Sequence, residues 1–213
     1  MKKRNRSRES GSTIVEFAIV APCLVLFLFG AIGVGIMMGR YIQTVYACRD
    51  IAHLYVNGVD FTQTISQNIV TQQLASGVGM TATGGNGVVI LSRIVTVYQV
   101  DCDAAGYSGS CNNLNQAVLT QRVTIGASSL RSSSFGTPTA TLLDSKGNIS
   151  PSVYLQNTDS SVQAAGFTAL MTAAGKVQQQ GEAGWVAEVF FTYPDIGFLG
   201  TNASGGAYAR FIF

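Results

Sequence analysis

The stretch that decides the fold is Ser12–Gly39, which reads STIVEFAIVAPCLVLFLFGAIGVGIMMG. Inside it, the 26 residues from Thr13 to Met38 contain one charged side chain, that of Glu16. At a rise of about 1.5 Å per residue this run makes a helix of roughly 39 Å, longer than the ~30 Å hydrocarbon core of a bilayer. We therefore predict a transmembrane helix over residues 12–39.

Basic residues are concentrated ahead of this helix. The leader 1–11 holds five of the 13 Lys and Arg residues, which leaves 8 Lys/Arg and 10 Asp/Glu in residues 12–213. A basic flank stays in the cytoplasm, so the sequence that follows the helix is predicted to be exported. Because no basic excess remains in that part, the charge pattern argues against nucleic acid as a partner.

The composition favours an exported protein that packs against other proteins. Charged residues make up 11% of the chain, whereas soluble domains average roughly 25%. The apolar run has two alternative interpretations. A cleaved secretory signal has a small-x-small site at Ala31-Ile32-Gly33, but the run is about twice the usual apolar core. A lipoprotein would use Cys23, which follows Pro22 deep within the run.

The start of the apolar run carries a recognisable spacing. Gly11 immediately precedes it, Glu16 is the fifth residue after that glycine and the aromatic Phe17 is the sixth. This spacing resembles the prepilin processing site of type IV pilins. Together with Pro22 and the segment YIQTVYACRDIA (41–52), it resembles more narrowly the TadE-like pseudopilins of tight-adherence (Tad, or Flp) pilus systems.

This resemblance implies a function and a set of partners. A prepilin peptidase would cleave between Gly11 and Ser12. The mature protein would act as a minor pilin, pseudopilin or assembly factor, through contacts with major and minor pilins and with the pilus assembly platform. The family is not enzymatic and needs no cofactor. The chain would sit in the bacterial inner membrane with a periplasmic C-terminal domain, and either stay there or enter a surface pilus.

The helix is predicted to continue beyond the membrane. No Pro or Gly occurs from Arg40 to Asn57, and Gly58 is a plausible stop. Apolar and polar side chains fall on opposite faces of this 40–57 extension, which favours packing of one face on the domain. The apolar face holds Tyr41, Val45, Cys48, Ala52 and Tyr55. Within the membrane, the row of Ala31, Gly35 and Gly39 would let another helix approach closely.

Residues 58–213 are predicted to form an exported α+β domain, giving a pilin-like fold in which the long N-terminal helix packs on an antiparallel sheet. Alternation of side chains predicts four strands, and helical spacing predicts one or two further helices. The strands are Val88–Val100, Ala117–Ile125, Trp185–Tyr193 and Ala207–Phe213, and the helices are Thr62–Ala75 and Ser160–Gln180.

The chain offers little for catalysis or metal binding. His53 is the only histidine and falls on the polar face of the helix extension, and no C-x-x-C pair occurs, so we predict neither an enzyme nor a metal site. Cys102 and Cys111 are separated by a short loop between two predicted strands of an exported domain, which predicts a disulfide. Cys48 is predicted to be buried and unpaired.

The function and the role of Glu16 each have an alternative interpretation. A single-pass envelope protein would use the helix only to anchor an exported binding or scaffold domain, and its Gly11 would stay uncut. Glu16, as a carboxylate in an apolar segment, needs a proton or a cation. After cleavage, one candidate cation is the α-amine of Ser12 in the same chain, one helical turn upstream. The family resemblance implies pairing with the α-amine of Ser12 from an adjacent subunit instead, and the alternative to both is a position at the headgroup boundary.

Overall fold

A single long helix forms the N-terminal part of the described chain. The computed structural model describes residues 9–107, 109, 111–193 and 205–213, with side chains from residue 14 onwards. Helix α1 runs unbroken over Glu9–Val56, 48 residues in all, and continues through Pro22. The chain turns away just after the helix at Gly58, whose φ of +84° is a left-handed conformation that glycine adopts without strain. The predicted helix extension past the apolar run is confirmed.

Four antiparallel strands form one sheet in the order β2-β1-β3-β4. They are β1 Gly87–Thr96, β2 Ala117–Gly126, β3 Ala183–Thr192 and β4 Gly206–Ile212. A register shift lies between Arg93 and Ile94, where β1 pairs with β2. The strands form where β-branched and aromatic residues alternate, because such side chains fit a pleated and buried surface. The predicted α+β fold with an antiparallel sheet is confirmed.

The short helices connect these strands. Helix α2, Thr64–Asn68, continues directly into a π-helical turn, Ile69–Leu74, so the predicted Thr62–Ala75 helix is present in a mixed form. The remaining helices are α3 Gln99–Ala104, a 3-10 turn Ala140–Leu142, α4 Pro151–Gln156 and α5 Phe167–Ala173.

Both faces of the sheet are covered. The C-terminal part of α1 and the π-helical turn pack on one face, with Cys48, Ile51 and Tyr55 buried against Val89, Leu91 and Val189. The irregular segment 127–167 covers the other face, where Phe135 and Phe167 meet edge to face with ring centroids 5.7 Å apart. The sheet is therefore the middle layer of the domain, and α1 is part of its core.

The helix predicted over Ser160–Gln180 is much shorter in the structure. Only Phe167–Ala173 is helical, because Gly166 and Gly175 have φ values of +80° and +72° and so break the helix at both ends. The predicted apolar face is not buried as a whole. Phe167 is fully buried, whereas Val177 is 75% exposed.

The strand predicted over Val88–Val100 also ends early, at Thr96. The alternation continues to Val100, but the Asp101 carboxylate accepts a hydrogen bond from the Tyr98 amide at 2.8 Å and starts α3 there. Val100 consequently lies in a helix and is half exposed.

Tyr41, predicted on the packed face of α1, is 54% exposed, because the sheet begins to contact the helix only one turn later.

Candidate functional site: the N-terminal helix and its junction with the sheet

The first two thirds of α1 present an apolar surface with no cover from the domain. Large apolar side chains from Ile14 to Ile42 are about half exposed or more, and Phe17 is 68% exposed. By length and composition α1 can cross a membrane. Glu16 is exposed in this segment. Gly11 and Ser12 belong to α1 by their backbone, and the Ser12 side chain lies outside the described part of the chain.

The small residues proposed for helix packing share this exposed stretch. A Cβ added to Gly35 or Gly39 would meet no atom within 4 Å, so the domain does not use the space beside these glycines. Ala31 is likewise exposed. The row is thus accessible to a neighbouring helix, and its use as a packing surface stays a prediction.

The junction between helix and domain begins at Thr44, the first residue of α1 from Ile14 onwards that is buried. The Thr44 hydroxyl lies 2.9 Å from the phenol oxygen of Tyr193, just beyond the end of β3. That phenol also donates to the Arg40 carbonyl at 3.3 Å, and the Arg40 guanidinium lies 5.1 Å from the Tyr193 ring centroid. These contacts fix the point at which α1 leaves its exposed stretch and joins the sheet.

One turn further on, Cys48 brings the helix close to the backbone of the sheet. Its thiol points at the carbonyls of Ala187 in β3 and Ala209 in β4, at 3.4 and 3.5 Å. Burial raises the pKa of the Cys48 thiol to about 12, so it is neutral and unreactive in the folded protein. The prediction of a buried, unpaired Cys48 is confirmed.

Aromatic side chains complete the junction at the end of α1. The Tyr55 ring meets Trp185 edge on at 4.8 Å, and the Arg93 guanidinium lies 5.4 Å from the Trp185 ring centroid. His53 is exposed on the other side of the helix, where its ring packs 4.9 Å from that of Phe213. The sole histidine is therefore a surface residue against an aromatic ring.

Cys102 and Cys111 are joined by a disulfide, with Cα atoms 5.6 Å apart. Cys102 is buried in α3, and Cys111 lies in the turn that leads to β2. The bond closes the connection between β1 and β2 at the end of the sheet. It clips a loop and does not join α1 to the domain.

The described residues contain no cluster of His, Cys, Asp and Glu that could hold a metal ion. A cleft of about 340 Å³ is lined by Arg93, Asp101, Tyr154 and Glu182 among others. It combines a cation, two carboxylates and a phenol but no activated nucleophile, and it gives no reason to assign a reaction.

A buried polar cluster on the second face of the sheet is not predictable from the sequence. Glu188 of β3 is 2% exposed and accepts hydrogen bonds from the Ser133 hydroxyl, the Ser134 amide and the Tyr208 phenol. Burial raises the pKa of this carboxyl, but these hydrogen bonds outweigh burial and hold the pKa below its ordinary value. The cluster ties the segment that covers this face to β3 and β4.

A second charged group, Arg122 of β2, is buried in the same face. Its guanidinium donates to the carbonyls of Phe135 and Gly136, and burial lowers its pKa to about 10. Each charge thus binds the covering segment 127–167. In the sequence, these two sites are visible only as single charged residues, Glu188 and Arg122, within strands of alternating side chains. Such a residue does not reveal which distant parts of the chain supply its hydrogen-bond partners.

The comparisons with known proteins bear on the first of these regions, the apolar helix and the first part of the junction. Residues 11–53 match the family described as TadE-like protein. The match begins at Gly11 and ends within the junction, so the TadE-like segment is the part of α1 that carries the apolar surface and its first contacts with the sheet. The resemblance inferred from the residues is confirmed. No curated protein and no solved structure matches the chain.

Proposed function

We propose that this protein is a minor pilin or pseudopilin of a Tad-type pilus, which works by packing its α1 helix against those of other pilins. The match of residues 11–53 to the TadE-like family carries this proposal, because it associates the chain with a structural family of Tad pili rather than with enzymes. The apolar helix supports a membrane anchor. The partners proposed are a prepilin peptidase, major and minor pilins and the assembly platform.

The form of α1 supports an assembly role over that of a plain anchor. An anchor needs only enough apolar helix to cross the bilayer, about 20 residues. In α1, exposed apolar side chains extend from Ile14 to Tyr46, 33 residues or roughly 49 Å of helix. The surplus of apolar surface beyond a ~30 Å bilayer core is better covered by neighbouring protein helices than by water. Ala31, Gly35 and Gly39 provide a surface for such contacts.

Processing between Gly11 and Ser12 is the direct test of this function. The intact mass and the N-terminal sequence of the protein recovered from membranes of its own host should show a chain that begins at Ser12. A Gly11→Leu variant serves as the matched control, because it changes the residue before the cut and leaves the span intact. A mature chain that begins at Met1, or after Gly33, would contradict the pilin assignment.

Glu16 is proposed to set the register of subunits as they assemble. Cleavage creates an α-amine at Ser12, one helical turn from the carboxylate, and an equivalent amine on each neighbouring subunit. Pairing with that amine offsets the cost of placing the Glu16 carboxylate in the membrane, and so favours one axial position of the neighbour over others. The carboxylate would then matter for assembly more than for insertion.

A further inference from the structure

The two edges of the sheet are treated differently by the rest of the chain. Strand β2, at one edge, is covered by the segment that follows it. Its backbone exchanges hydrogen bonds with residues 147–164, among them Leu119 N–H to the Val162 carbonyl and Arg122 N–H to the Gly147 carbonyl, at 2.9 and 2.8 Å. Strand β4, at the other edge, pairs with β3 on its inner side.

The register of β3 and β4 shows which backbone groups point outward. Trp185 and Phe213 exchange both of their backbone hydrogen bonds, and Tyr193 N–H donates to Gly205. In an antiparallel ladder such pairs recur at every second residue. The odd-numbered residues of β4 therefore bond to β3, and the even-numbered ones direct their N–H and C=O groups away from the sheet. We call these groups of Gly206, Tyr208, Arg210 and Ile212 the open edge. Within the described ranges no backbone or side chain bonds to it.

A second copy of this chain does not fit the open edge. Three contacts show that α1 and β4 run in the same direction. Near the start of β4, Thr44 contacts Tyr193, whose backbone is bonded to Gly205. Further along both elements, Cys48 contacts Ala209 and then His53 contacts Phe213. Antiparallel pairing of two β4 strands would thus point the two α1 helices in opposite directions, which two copies inserted alike in one membrane cannot do.

Parallel pairing of two copies fails for a different reason. In a parallel ladder, a residue whose N–H and C=O face the partner strand lies opposite a residue whose groups face away, and it bonds to that residue's two neighbours. In two copies of β4, however, the same even-numbered residues carry the outward groups. Two identical edges therefore pair only with an offset of one residue. That offset is incompatible with the two-fold axis of a closed dimer. A closed dimer through the open edge is therefore excluded, which favours a strand from a different protein as its occupant.

The side chains beside the open edge indicate the chemistry of that strand. The Arg131 guanidinium lies 3.8 Å from the Tyr208 ring centroid, and that of Arg210 lies 5.2 Å from the ring of Phe135. Both arginines contact aromatic rings, and among the described residues neither forms an ion pair with a carboxylate. Glu188 faces Arg210 across the ladder, but its oxygens already accept hydrogen bonds from other groups. A carboxylate on the incoming strand would complement these cations.

We propose that the open edge of β4 binds an extended acidic segment of another exported protein, which adds a fifth strand to the sheet. Main-chain hydrogen bonds to the open edge supply the affinity, and carboxylates facing Arg131 and Arg210 select the partner. This inference requires the domain to be exported beside a membrane, and it does not depend on the pilus assignment.

The test uses the full chain in phospholipid nanodiscs and residue-resolved amide hydrogen exchange. The probes are two capped octapeptides, one alternating Thr with Glu and the other alternating Thr with Lys, each at millimolar concentration. The Thr-Glu peptide should slow exchange at the outward amides of Tyr208, Arg210 and Ile212 by about tenfold, and the Thr-Lys peptide should leave them unchanged. The amides of Ala207 and Ala209, already bonded to β3, report that the sheet stays folded.

Two variants at one position separate backbone from charge. Arg210→Ala keeps the outward N–H and should weaken the effect of the acidic peptide. Arg210→Pro also removes the N–H, and should abolish the effect while the β3 ladder survives, because that N–H does not face β3. Equal slowing by both peptides would refute the charge complementarity. No slowing by the acidic peptide, or outward amides protected before any peptide is added, would refute the proposal as a whole.

Discussion

The role of α1 as part of the domain core is tested by truncating Ile51. This side chain is 0% exposed between the helix and the sheet. Replacing it with Ala removes three carbon groups, each worth about 0.8 kcal/mol when buried, and leaves a cavity. We expect Ile51→Ala to lower the free energy of unfolding by about 3 kcal/mol. The matched control is Ile65→Ala in α2, where the side chain is 78% exposed and the expected change is within about 0.5 kcal/mol.

Urea unfolding of the full chain in mild detergent micelles measures this difference. Trp185 is the only tryptophan and touches Tyr55 of α1, so its fluorescence reports the junction directly. With a slope of about 2 kcal/mol per molar urea, Ile51→Ala should lower the unfolding midpoint by roughly 1.5 M. If the two variants differ by less than about 1 kcal/mol, the helix extension does not belong to the core and the reasoning about α1 is wrong.

Three further predictions concern stability and assembly. Because the folded-state pKa of Glu188 is lowered, its carboxylate stabilises the protein at pH values above the ordinary pKa of 4.5, and this stabilisation should be lost as the pH falls through the folded-state pKa. Acid unfolding of Glu188→Gln compared with wild type measures this contribution alone, since the exposed aspartates contribute equally to both proteins. Reduction of the Cys102–Cys111 bond, whose cysteines are 9 residues apart, should lower the free energy of unfolding by about 2–3 kcal/mol in urea titrations with and without reductant. Peptide mapping of protein taken from its native compartment should find the bond intact, and free thiols at both positions would contradict the prediction. Glu16→Ala should leave cleavage and membrane insertion largely intact but reduce co-purification with pilins and the number of surface pili. Wild-type values for both measurements would contradict a role of Glu16 in assembly and indicate that the span serves only as an anchor.

Regular patterns made most of the architecture predictable. The apolar run and the Pro- and Gly-free segment after it predicted α1, because helix formation there depends on neighbouring residues in the chain. Side-chain alternation predicted the four strands for the same local reason. The errors arose where a local interaction interrupts a pattern that otherwise continues. Asp101 caps a helix within an apparent strand, and Gly166 and Gly175 break an apparently continuous helix.

The polar cluster around Glu188 was beyond the reach of such patterns. Its hydrogen bonds to Ser133 and Ser134 join residues 55 and 54 positions apart, and these serines lie in a serine-rich loop without periodicity. The open edge of β4 was equally hidden, since it depends on the order of strands in the sheet. In contrast, the N-terminal motif could be recognised from the sequence, because the spacing of Gly11, Glu16 and Phe17 is what the resemblance rests on. The family match begins at that glycine.

The common direction of α1 and β4 has a mechanical consequence. A subunit drawn out of a membrane, or held in a fibre under tension, experiences force along α1. The junction at Thr44 and Cys48 passes that load to β3 and β4 broadly along the strands. Because α1 lies along these strands, the load shears the contacts between the helix and the sheet together instead of breaking them one after another. Because α1 is continuous from the apolar stretch to the sheet, it transmits tension without a hinge, and the contacts that bear this tension lie inside the domain.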